Sequence, residues 1–145
     1  MKSIEEIMRE IAAGMAFLEP MQRIEYLIDL SKKAKGLPNE LRTDENKVYG
    51  CASETWLAVQ EEDDRMTIAT DSEAAIVKGL LQLLEQCFNG HSKEEIVSVD
   101  GQRVLDTVGL GGSLSNRRMN GFASAIEKVQ RQLRERIELE KKQLH

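Results

Sequence analysis

Apolar positions recur at helical spacing at both ends of the chain and alternate with polar ones only in a short middle stretch. Ser3 followed by Glu6 has the pattern of a capping box, and Ile4, Ile7, Met8, Ile11, Ala12 and Met15 repeat behind it. Pro20 suits the first turn of a second helix, on which Ile24, Leu27, Ile28 and Ser31 share a side. Lys32, Lys33 and Lys35 complement its negative end, and Gly36 and Pro38 stop it. Residues 37–46 are polar and turn-rich. Two strand-like runs follow, 55–60 with Trp56, Leu57 and Val59, and 65–70 with Met66 and Ile68, joined by the polar "EEDD" loop. Val48 and Tyr49 add a short edge strand, which makes about three.

Helical spacing then returns. Thr70 with Glu73 reads as a second capping box for a helix over 72–88, the most apolar in the chain, ended by Asn89-Gly90. Ser92 with Glu95 opens a short helix, Asp100-Gly101 reads as a turn, and another short helix over 102–108 stops at Gly109. The glycine-rich "GLGGSLSNRR" precedes a final helix capped by Ser115, with Phe122, Ile126, Val129, Leu133 and Ile137 as its stripe. Helices flanking a small antiparallel sheet predict an α+β fold. No repeat or composition shift divides the chain, so residues 1–145 read as one domain. Its parts are a helical start (1–36), a cysteine loop and hairpin (46–70) and a helical remainder (71–145).

Charge narrows the function classes. The chain of 145 residues carries a formal charge of −5, which argues against a nucleic-acid surface. Basic residues do gather at Arg117-Arg118 and over 128–136, but interleaved acids make the latter read as a solvated helix face. No apolar run is long enough to span a bilayer, and the first residues carry glutamates where a targeting peptide is apolar or basic. The expectation is a cytoplasmic protein with neither nucleic acid nor membrane as partner. The two cysteines form no CxxC, which removes the thioredoxin-type dithiol and the common zinc knuckle.

Those cysteines differ in context. Cys87 follows Leu83 and Leu84 by four and three positions on the apolar helix, the setting of a buried, inert thiol. Cys51 stands in a turn between Gly50 and Ala52, with Ser53 next, and small neighbours leave room for a partner to approach. A cysteine hydrolase needs a base, and only His91 and His145 are available, with no third orienting group. A metal or iron–sulfur site needs about four ligands, more than these cysteines supply. "GLGGS" lacks the lysine and strand context of a phosphate loop. Three readings remain open on residues alone: a thiol carrier activated by another protein, a hydrolase, and an adaptor in which Cys51 is incidental.

Three motifs in order bear a family resemblance over about residues 20–130. "GCASETW" resembles a glycine–cysteine–x–serine–x–x–tryptophan signature, and "DSEAAIVKGLLQLL" resembles the helix that follows it. "LSNRRMNGF" resembles a leucine–serine/threonine–x–x–arginine–x–x–glycine motif. Together they resemble the SufE-type sulfur acceptors, partners of pyridoxal-phosphate cysteine desulfurases in iron–sulfur cluster assembly. The resemblance implies a fold like that of the iron–sulfur scaffold proteins without their three-cysteine site.

It further implies that Cys51 accepts persulfide sulfur from a SufS-like desulfurase and passes it to an iron–sulfur scaffold. No cofactor or metal of its own is expected, the pyridoxal phosphate belonging to the partner. Such a carrier in another pathway, thiolating tRNA or a cofactor, is the neighbouring alternative. Arg118 falls on the motif arginine, where it orients the cysteine loop or meets an acidic group of the desulfurase; an ordinary exposed helix arginine is the other reading. Glu73 falls where relatives commonly have aspartate, and Gly50 and Ser53 shape the loop. Ala52 and Glu54 stand where many relatives have glutamine, and Asn116 where they often have proline. A carrier gains by sheltering its sulfur, so the free thiol is expected to be partly or fully buried, with Val48, Tyr49 and Phe122 as cover.

Overall fold

A computed structural model describes residues 1–108 and 114–144. Helices α1 (Ile4–Ala16) and α2 (Pro20–Lys33) lead into a hairpin of strands β1 (Thr55–Glu62) and β2 (Arg65–Ser72). Then come α3 (Ala75–Phe88), α4 (Lys93–Ser98), α5 (Gly101–Val108) and α6 (Asn116–Gln143). The α+β class holds. Ser3 and Ser92 cap α1 and α4 in capping boxes with Glu6 and Glu95, and Ser115 caps α6 through the Arg118 N–H. The Asp100 carboxylate accepts from the Gln102 N–H, so the Asp100-Gly101 turn is itself the start of α5. Gly109 and most of the glycine-rich loop lie outside the described residues.

The core is organised around α3. It packs against α1, α2, α6 and β2, with Leu80, Leu81, Leu83, Leu84, Cys87 and Phe88 withdrawn from solvent. Each such apolar side chain stabilises the fold by roughly 1.5–3 kcal/mol on burial. Alternation along β1 splits the two faces of the hairpin. Leu57, with Met66 and Ile68 of β2, joins the main core, while Trp56 and Ala58 form a smaller cluster with Leu37 from the connector after α2.

Three expectations need correction here. The hairpin is longer than read, because Asp63 and Asp64 alone form its turn, both at left-handed φ (53° and 63°), as a two-residue hairpin loop requires. The third strand reduces to one bridge, Lys47 to Trp56, because the chain turns away at Tyr49-Gly50 after the Val48 N–H meets the Thr55 carbonyl. Thr70 does not cap α3 with Glu73. Strand pairing wins, carrying β2 through Ser72 opposite Thr55, and Thr70 donates its N–H and hydroxyl to Glu85 instead. The helix starts at Ala75 with Ala74 as its N-cap.

Candidate functional site

Cys51 leaves the turn at Gly50, whose φ of +92° favours glycine and whose missing Cβ would lie 2.7 Å from Ser124 Oγ of α6. The turn is thereby pressed onto α6. Cys51 itself is half-buried and packs against the main core. Its sulfur rests over the backbone of Gly121, where a Cβ would come within 2.7 Å of Sγ. On its other side Sγ meets Thr55 Oγ1 at 3.2 Å.

A cleft of about 470 Å³ opens beside this sulfur. Cys51, Ala52 and Ser53 form one wall, Ala74 and Val77 a second, and Ser115, Arg117 and Arg118 a third. Ala74 caps α3 and Ser115 caps α6, so two helix N-termini converge on the thiol. Unpaired N–H groups and the helix dipole make such ends favourable to anions, and the two guanidiniums add to that. The arrangement suits a sulfur anion, a thiolate or its persulfide. A groove of similar size, about 480 Å³, is lined by Ile7, Glu10, Ile11, Met15, Leu18 and Tyr26, and no cysteine is among its lining residues.

The expected site residues separate on this geometry. Cys51, Ser53 and Arg118 line the cleft, and Gly50 shapes the turn beneath it. Glu73 is exposed and donates its N–H to the Glu54 carbonyl, while Ala74 beside it takes the wall. The Glu54 carboxylate lies 3.9 Å from Lys47 Nζ. Val48 and Phe122 are buried, but Tyr49 is 67 % exposed and gives no cover, a role that falls to Gly121 and Thr55. Arg117, Thr55 and Gly121 join the site without having been expected there, although Gly121 is the closing glycine of the "LSNRRMNGF" motif and Arg117 stands beside its arginine.

Among the described residues, the one histidine, His91, is remote from the cleft. The His91 carbonyl accepts from Met66 N–H near the turn of the hairpin, whereas Cys51 sits by Thr55 and Ser72 at its open end. Six residue steps along the strand separate Met66 from Ser72, about 20 Å at ~3.3 Å per residue. The imidazole is buried, with Nδ1 3.1 Å from Glu95 Oε2. His145 lies outside the described residues. Cys87 is fully buried, and burial pushes its thiol up to about 12, so it stays protonated and unreactive. Among the described residues no group of three or more His, Cys, Asp or Glu is placed to hold a metal, and no helix is long and apolar enough to cross a membrane.

The chain is similar to known proteins in sequence and in fold. The SufE family, described as an Fe-S metabolism associated domain, matches residues 8–133. An uncharacterised SufE-like protein of Rhizobium meliloti is 35 % identical over 133 residues, covering 88 % of this chain and 95 % of that protein. The sulfur acceptor protein CsdE of Escherichia coli is 32 % identical over 125 residues, covering 86 % of this chain and 84 % of CsdE. In fold, the chain is similar to the solution structure of a hypothetical protein from Thermus thermophilus. The TM-score is 0.73 at 19 % identity, over 89 % of this chain and 94 % of the other. With a family match over residues 8–133 and a SufE-like relative 35 % identical over most of both chains, the chain belongs to the SufE family.

Proposed function

We propose that the protein is a sulfur acceptor that stimulates a cysteine desulfurase and forwards the sulfur for iron–sulfur cluster assembly. The Cys51 thiolate attacks the outer sulfur of a cysteine persulfide on the desulfurase. A new sulfur–sulfur bond forms to Cys51, the old one breaks, and the desulfurase cysteine departs as a thiolate. Delivery repeats the step with a recipient thiol as nucleophile, and sulfur moves without net oxidation. Pyridoxal phosphate stays with the desulfurase, and this chain contributes a thiol, a cleft and a docking surface.

The observation that carries this reading is a half-buried cysteine at two converging helix N-termini, with no histidine base beside it among the described residues. Such a thiol is poorly equipped for hydrolysis but well placed to receive and hold a sulfur anion. Half-burial also suits a carrier, since oxidants and stray thiols reach a sheltered persulfide less easily. Docking then needs to shift only a small opening equilibrium of the cysteine loop, of the order of a few kcal/mol. The name of the CsdE relative and the family description point the same way.

Activity of a SufS-like desulfurase with and without this protein tests the proposal. Cys51→Ser is expected to lower turnover to that of the desulfurase alone. Cys87→Ser is expected to retain stimulation while losing about 1–3 kcal/mol of stability from a buried hydroxyl. A folded Cys51→Ser protein that stimulates normally overturns the proposal.

A further inference from the structure

Thr55 is fully buried at the first position of β1, directly opposite Ser72 at the last position of β2. Its hydroxyl oxygen has three neighbours: Cys51 Sγ at 3.2 Å, the Ser53 carbonyl oxygen at 3.1 Å and Ser72 Oγ at 2.9 Å. Ser72 Oγ in turn accepts the Ala74 N–H at 3.2 Å, from the N-cap of α3. A hydroxyl has one hydrogen to give, so Thr55 serves one acceptor at a time. While Cys51 is a thiol, its S–H donates to Thr55 Oγ1, and the Thr55 hydrogen goes to the Ser53 carbonyl. When the thiol ionises, its proton leaves to solvent through the cleft, and the Thr55 hydrogen turns from Ser53 to the sulfur. Ser72 then donates to Thr55 and the Ala74 N–H to Ser72. Every donor in the series points towards the sulfur.

We propose that Thr55 is the hydrogen-bond donor that stabilises the Cys51 thiolate, and that Ser72 is the positioning residue that aligns it. Together they set the pH at which the thiol becomes a nucleophile. The proposal rests on reading Cys51 as the sulfur-accepting nucleophile, but its test needs no desulfurase. The charged groups on the surrounding elements are Arg117 and Arg118 on α6, Lys78 on α3, Lys47 and Glu54 on the cysteine segment, and Asp71 and Glu73 before α3. They are common to every variant compared, so differences among Thr55 variants isolate the hydroxyl. An isosteric change at Thr55 removes the donor while keeping the shape.

The test is the pH dependence of iodoacetamide alkylation of Cys51, followed in the full chain by mass spectrometry of the Cys51 peptide. Thr55→Val is expected to move the midpoint up by about one pH unit, about a tenfold loss of rate at neutral pH, with the alkaline plateau retained. Thr55→Ser is expected to restore the original profile, and Ser72→Ala to move the midpoint the same way by less. A folded Thr55→Val protein with an unchanged midpoint overturns the proposal. If that variant fails to fold, an unchanged midpoint in Ser72→Ala overturns it. Failure of wild-type Cys51 to take sulfur from a desulfurase refutes the acceptor role alone, whereas an unmoved midpoint refutes the donor role alone.

Discussion

At Gly121 a single hydrogen in place of a side chain decides where the sulfur of Cys51 rests. Glycine inside a helix costs about 1 kcal/mol relative to alanine, and here that cost makes room for a thiol at the helix surface. Gly121→Ala is expected to push Cys51 outwards, raising its alkylation rate several-fold, while the repacking costs about 1–3 kcal/mol of stability. Alkylation kinetics beside thermal unfolding check this, and unchanged kinetics in a folded variant would show that the sulfur does not depend on that nook. The contrast between the two cysteines was legible in sequence because helical period alone separates a stripe thiol from a turn thiol. Thr55 was not legible. Its contact with the sulfur depends on the path of the turn between them, and its contact with Ser72 on cross-strand register, and both belong to the folded hairpin.

Among the elements, the junction of β2 and α3 misled the sequence reading, and Asp71 shows why. Its buried carboxylate accepts from the Leu37 and Ser72 N–H groups, pairs with Arg42 and lies 3.3 Å from Lys78 Nζ. It thereby ties the connector after α2 to the end of the hairpin. These partners hold β2 extended past Thr70, where a capping-box pattern had suggested a helix start. Burial works against the charged form of Asp71, yet the Leu37 N–H, Arg42 and Lys78 outweigh it and hold the carboxyl below its ordinary 3.8. A depressed carboxyl stabilises the fold above that unfolded value, and the contribution is lost as pH falls through the folded one. Glu85 has the opposite sign: burial raises it above 4.5, so its contribution is most favourable at acid pH and declines as pH rises. Asp71→Asn is expected to cost about 3 kcal/mol at neutral pH, because two partly buried cationic partners lose their counter-charge. In urea unfolding the gap from wild type should shrink well below pH 3.8. An equal gap at both pH values would mean that shape, not charge, holds this junction.

At the scale of the whole molecule, the cleft exists only because three distant segments meet. The cysteine loop, the start of α3 and the start of α6 each supply one wall. The helices were legible from their caps and stripes, but the convergence of two N-termini on one thiol is a property of tertiary packing. The same packing sends His91 and Cys87 away from the cleft, the latter near the last turn of a 14-residue helix that begins at it. The 0.73 TM-score at 19 % identity indicates that the fold tolerates wide sequence change. The proposed acceptor role requires sulfur to travel on Cys51. Its most direct measurement is a mass spectrum of the protein after incubation with a cysteine desulfurase and cysteine. The expected result is one added sulfur atom on the Cys51 peptide, removed by a reducing thiol and absent both without cysteine and in Cys51→Ser. A desulfurase that is stimulated while Cys51 gains no sulfur would contradict the account.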